Sequence, residues 1–217
     1  MLYKLLCFFT RWFFKNKVSL LMVCLQSLII LFLMVLGFSH LKEPTSYFPS
    51  IFLICMFFMG QFFLIESHNK FAQQKILQAL ILTGASPTQL YIALLSISLA
   101  WVFAIEVMLW LLLHVFFQAS VIIFTPLLCL IFLSGSLSYV ALGILFYGFS
   151  VFSRVHQTLV MILFFPLCIP LFLFFHHALS TAIEVSSKPN VAPLLGMNLL
   201  FVFSAMLLYE FVTEDLT

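Results

Sequence analysis

Few side chains in this sequence are equipped for chemistry, and most of those sit inside long apolar runs. Glu106 lies within the run Leu90–Phe117, with Trp110 and His114 following at i+4 and i+8 on the same helical face. An intramembrane carboxylate is a functional candidate by default. Here it reads either as a proton-handling acid with an acid–imidazole line leading outward, or as a protonated Glu hydrogen-bonded to a neighbouring helix. His176-His177 closes a later run. That pair reads as haem-iron ligands or as an interfacial cap with its polar tips among lipid headgroups. His40, His68 and His156 fall in loops or at run ends. The five cysteines (Cys7, Cys24, Cys55, Cys129 and Cys168) are widely spaced, with no C-x-x-C and no C-x-x-C-H. A redox pair, a zinc knuckle and a c-type haem attachment are therefore excluded, and lone Cys within apolar runs are read as small hydrophobes. No glycine begins G-x-x-x-x-G-K-[ST], so there is no phosphate-cradling loop, and any ATP must be hydrolysed on another subunit. No catalytic constellation is visible, and the chain is read as a non-enzymatic subunit with no bound metal and no cofactor of its own.

The elements holding these residues follow from composition. Of 217 residues, 65% are apolar and 7% charged, where a soluble domain carries about 25% charged residues. Mean hydropathy is +1.24. A soluble enzyme domain and a disordered chain are both excluded, and a net charge of +2 gives no basic patch for nucleic acid. Apolar stretches of spanning length give six transmembrane helices: Val18–Phe38, Phe48–Ile65, Leu90–Phe117, Val121–Ser150, Thr158–Ala178 and Leu194–Val212. Leu, Phe and Ile run continuously without period-2 alternation, so the fold is an all-α integral membrane protein and not a barrel. The third and fourth runs exceed what the bilayer core needs, which predicts tilt or protruding ends. Residues 1–17 lack a small-residue cleavage site after a short apolar core, so no cleavable signal peptide is read there.

Charge decides orientation. Lys4, Arg11, Lys15, Lys17, Lys70, Lys75 and Arg154 fall on one side of this six-span arrangement, and only Lys42 and Lys188 fall on the other. The positive-inside rule then places both termini in the cytoplasm. Lys4, Arg11 and Lys15 lie within about 40° of one another on a helix, among Phe8, Phe9, Trp12 and Phe13. This arm is read as an N-terminal interfacial helix on the cytoplasmic leaflet or as a plain topology anchor.

The connection between spans two and three is the richest polar segment. Glu66 and Lys70 form an i,i+4 pair in the favourable order, and Gln73 and Gln74 extend that face. Ile76–Leu82 is apolar but too short to span, with Gln78 inside it; Thr83-Gly84-Ala85 breaks it. Ser86 then reads as an N-cap, Pro87 as the first helical residue and Gln89 as the end of a capping box. The segment is expected to be a short surface helix hinged by Gly84 into a capped third span, suited to docking a cytoplasmic partner or serving as a solvated connector. Ser134, Ser138, Gly135 and Gly143 put small residues at i+4 and i+8 spacings in span four, which predicts close helix contact. Pro166 and Pro170, one turn apart, predict a kinked fifth span.

The run Gly135-x7-Gly143, then Arg154, then Leu163-Phe164-Phe165-Pro166-Leu167-Cys168-Ile169-Pro170-Leu171 resembles the haem exporter protein B (CcmB) family. The resemblance extends over nearly the whole chain, with Pro-Leu-x-Ile-Pro-Leu its most specific part. It departs at Gln73-Gln74-Lys75-Ile76-Leu77-Gln78, where the family carries more acids and a Gly before a Leu-Glu pair. It implies an ABC-2-type exporter-like membrane subunit of the cytochrome c maturation transporter, in a bacterial inner membrane. On that resemblance an ABC ATPase subunit carrying the ATP docks at Glu66–Gln78 and on the N-terminal arm. Its closure passes through Gly84, Ser86 and Pro87 into span three, and haem is handled together with a haem-handling membrane subunit and a haem chaperone. The competing expectations are an ABC-2-type exporter of lipid or drug, and a proton-coupled carrier using Glu106.

Overall fold

The computed structural model describes residues 2–15, 17–38, 47–73, 76–82, 84–117, 125–153, 157–183 and 191–214. These form eight helices: α1 (Leu2–Lys15), α2 (Lys17–Phe38), α3 (Phe48–Gln73), α4 (Ile76–Leu82), α5 (Pro87–Phe117), α6 (Pro126–Ser153), α7 (Gln157–Ile183) and α8 (Ala192–Glu214). Six of them, α2, α3, α5, α6, α7 and α8, are long and apolar enough to cross a membrane. Apolar side chains cover their outer faces (Leu33, Leu173 and Leu207 among them), as expected where the surrounding solvent is lipid.

The second span closes near its expected end, at Ser67, but the helix does not: α3 continues to Gln73, so the polar residues Glu66 to Gln73 form its last two turns. The Glu66–Lys70 pair, at 3.4 Å, supports those turns, and Lys70 complements the negative end of the helix dipole. The part of the expected fourth span at residues 121–124 lies outside the described residues, and α6 begins at Pro126. Thr125 caps it, its Oγ1 accepting the Leu128 N–H at 3.2 Å, and Pro126 fills the first position, where no N–H is needed.

α6 is the central helix, touching α3, α5, α7 and α8. In lipid, burial of apolar surface does not by itself select one interface, so close approach and polar pairs do. Gly135 abuts Phe175 of α7, and Gly143 abuts Leu64 of α3. Gly60 of α3 receives the Tyr139 ring in return. The close contact expected from the small residues of span four is thus observed. Hydrogen bonds fix the same interfaces: Tyr139 OH donates to Phe57 O at 2.9 Å, Tyr147 OH to Gln61 Oε1, and Ser138 Oγ to Asn198 Oδ1 of α8. α2 is peripheral; among its described side chains Val23, Ser27 and Leu31 form the fully buried stripe, against α3 and α5.

α1 is amphipathic. Leu5 and Phe9, one turn apart, are buried against the bundle, where α1 meets α5. Ser96, Ala100 and Ala104 recur every fourth residue beside this seam and, with Leu6 and Thr10 of α1, line an open groove along it. Lys4, Arg11 and Lys15 instead line an outer groove with Tyr3, Phe8 and Trp12, so the cationic stripe lies where its spacing placed it. α7 runs unbroken through Pro166 and Pro170. Each proline still leaves a carbonyl one turn back, on Ile162 and Pro166, without its helical donor.

Candidate functional site

The segment from the end of α3 to the start of α5 is built from local rules. α4 is seven residues long and stops at Gly84, whose φ is +84°. Gly84 N–H donates to Ile81 O at 2.9 Å and Ala85 N–H to Leu80 O at 3.2 Å, the paired bonds of a Schellman stop, which needs a left-handed residue best supplied by glycine. Ala85 is buried against the bundle. Ser86 Oγ accepts the Gln89 N–H at 3.3 Å, so the N-cap role holds, with Pro87 opening α5. Among the described residues Gly84, Ala85 and Ser86 therefore lie outside any helix, between the end of α4 at Leu82 and the start of α5 at Pro87. The side chains of Gln73 and Gln78, and all of Gln74, Lys75 and Arg154, lie outside the described residues.

Glu106 is fully buried between α5 and α6. Its polar neighbour is Ser136 of α6, but that hydroxyl donates to Phe132 O at 2.8 Å. Neither carboxyl oxygen has a well-formed hydrogen bond; Trp110 Nε1 and His114 Nε2 are equally unsatisfied. His114 Nδ1 lies 2.8 Å from Trp110 O. A carbonyl only accepts, so Nδ1 carries the hydrogen and, in the neutral ring, Nε2 presents a lone pair. The line Glu106–Trp110–His114 thus exists as a face, but aromatic rings close around it. Phe48 meets Trp110 edge-on at 4.8 Å and His114 at 5.1 Å, while Phe132 meets Trp110 at 5.3 Å.

His176 and His177 do not act as a pair. Adjacent helical residues point about 100° apart: His176 faces α3, with Nε2 3.0 Å from Ser50 Oγ, whereas His177 is exposed. Joint ligation of one iron is incompatible with that divergence. Among the described residues no three His, Cys, Asp or Glu side chains converge as a metal site. Below His176 a groove of about 490 Å³ runs between α3 and α7; sequence reading missed it, because Ser50 and His176 are 126 residues apart. The tyrosine and glutamine bonds around α6 were missed for the same reason.

No family model, curated protein or solved structure matches this chain. The class rests on the fold alone: an all-α, multi-pass membrane protein with six candidate spanning helices.

Proposed function

We propose that this chain is the membrane subunit of an ATP-driven transporter, in which a separate ABC ATPase subunit holds α4 and the adjoining ends of α3 and α5. The observation that carries the proposal is α4 with its Gly84 stop and its Ser86-Pro87 cap. A displacement of α4 has only the four residues 83–86 in which to dissipate before it reaches α5, a helix of 31 residues. At 1.5 Å per residue α5 is about 46 Å long against a hydrocarbon core of about 30 Å. α3 likewise continues past its apolar stretch. The polar end of α3 therefore projects on the side of α4, where a soluble subunit would grip it beside the capped start of α5.

Six crossings return the chain to the side on which it began. Lys4, Arg11, Lys15 and Lys70 share that side with α4, which supports a cytoplasmic position for it. α1 then serves as the interfacial arm, its cations toward the headgroups. The resemblance of Pro166–Leu171 and its surroundings supports cytochrome c maturation in a bacterial inner membrane, with haem as the substrate of the whole complex. The divergence of His176 from His177 favours a coupling role, ATP hydrolysis being linked to release of a haem-loaded chaperone, over conduction of haem by this chain.

Affinity purification of the tagged chain from its native membrane tests this reading. An ABC ATPase subunit is expected to co-purify, and the charge reversals Glu66→Lys and Lys70→Glu are expected to weaken its retention. Recovery of the folded chain with no ATPase subunit would refute the proposal. Recovery with an ATPase but no cytochrome-maturation components would transfer it to an ABC-2-type exporter of lipid or drug.

A further inference from the structure

We infer that the groove between α3 and α7 binds one acyl chain of a glycerophospholipid from the leaflet opposite α4, with the lipid's ester region against Ser50 and His176. The inference does not depend on the transporter proposal. α3 and α7 run antiparallel here: Ser50 meets His176, and further along Phe57 meets Phe172 at 5.6 Å and Phe165 at 5.5 Å. From His176 down to Phe165 is 11 residues of helix, about 16 Å, close to the roughly 15 Å depth of one leaflet's hydrocarbon.

Depth and polarity identify the occupant. The groove is open on one side, its length matches one leaflet, and its single polar end lies where the ester groups of that leaflet's lipids lie. An extended hydrocarbon chain, whose carbons pack at about 4 Å from their neighbours, fits such a groove. The lining is apolar along its length, with Leu53, Ile54 and Ile169 among its walls, and it turns polar only at the Ser50–His176 end. No Lys or Arg lines it to receive the propionates of a haem. Ser180 Oγ lies 3.5 Å from His176 Nδ1; with that hydroxyl donating to Nδ1, Nε2–H donates to Ser50 Oγ, and the Ser50 hydroxyl hydrogen is left for an ester carbonyl.

Because lipid tails are as apolar as leucine, retention here comes from fit and from the polar anchor, not from escape from water. Depth is therefore the signature of the site. The full chain is reconstituted with phosphatidylcholine probes carrying a photoactivatable diazirine either near the glycerol or near the chain end. The first probe is expected to label peptides around Ser50 and His176, and the second those around Phe57 and Phe165. Ile169→Trp, which fills the groove, is expected to abolish this labelling, whereas Leu207→Trp on the exposed face of α8 leaves it intact. Ser50→Ala removes the hydrogen bond to the ester and lowers labelling about fivefold. Circular dichroism and gel filtration confirm that each variant is folded. Labelling spread evenly over α2, α7 and α8, or unchanged in Ile169→Trp, overturns the inference. So does haem absorbance in the purified protein that Ile169→Trp removes.

Discussion

Gly135→Ala separates packing from helix propensity at the centre of the bundle. A Cβ at Gly135 falls on the Phe175 ring. That ring is itself fully buried and hemmed by Phe52 and Phe132 at 6.4 and 6.5 Å, so it has little room to yield. Overpacking of this kind costs about 1–3 kcal/mol, while exchanging Gly for Ala within a helix returns up to about 1 kcal/mol. The reference is Gly196→Ala in α8, where a Cβ meets nothing within 4 Å. The propensity gain is common to both, so the two variants should differ by about 1–3 kcal/mol, with Gly135→Ala the less stable. Thermal unfolding of detergent-solubilised protein reads the difference, at about 2–4 °C per kcal/mol for a chain of this length. Phe175→Leu in the Gly135→Ala background should recover part of the loss, which a double-mutant cycle reports as a coupling energy. Equal melting temperatures for the two alanine variants, or zero coupling with Phe175→Leu, would refute the close α6–α7 approach.

The same measurement serves three further positions. Gly84→Ala meets no steric neighbour, yet its φ of +84° should cost about 1–2 kcal/mol, and Gly84→Asn should cost less. Loss of the cap in Ser86→Ala should cost about 1 kcal/mol, with Ser86→Asp close to wild type; equal stability of all three would remove the capping role. Glu106→Leu exchanges an unsatisfied buried carboxyl for an apolar group of similar reach and should leave stability unchanged or raised. A loss above about 3 kcal/mol would mean that the carboxyl has a partner it depends on, and loss of transport in stable Glu106→Gln would revive the proton-coupled carrier.

What the sequence made legible is what depends on neighbours along the chain. Hydropathy located six spans because each is a continuous run, and Ser86-Pro87 announced a helix start because capping is local. Thr125-Pro126 carries the same signature at the start of α6. The Glu66–Lys70 pair is a helical signal of the same local kind, and a helix leaving the bilayer turns polar without ending, so α3 runs on to Gln73. Pairings across the bundle had no such signal. Nothing near Gln61 reveals that Tyr147, 86 residues later, supplies its partner. His176 and His177 looked alike as neighbours and were separated only by the face of α7 that α3 covers.

The distribution of those pairings bears on how the bundle could transmit force. α6 is tied to α3 by the Tyr139 hydroxyl, at 2.9 Å from Phe57 O, and by Tyr147 to Gln61, and to α8 by Ser138 to Asn198. Its hydrogen bond to α5, from Tyr91 OH to Ala141 O, is long at 3.5 Å. Deeper along the same interface stands Glu106, a polar group that contributes no well-formed bond. α5 is thus held to the central helix mainly by shape, while α3 and α8 are held by directional bonds that resist sliding. α5 is also the helix to which α4 connects through its capped start. If an ATPase moves α4, the relative motion should fall between α5 and α6, and it should alter the surroundings of Glu106 before those of Asn198. A spectroscopic label on α5 that reported no displacement from α6 on ATP addition, in a complex that hydrolyses ATP, would contradict that order.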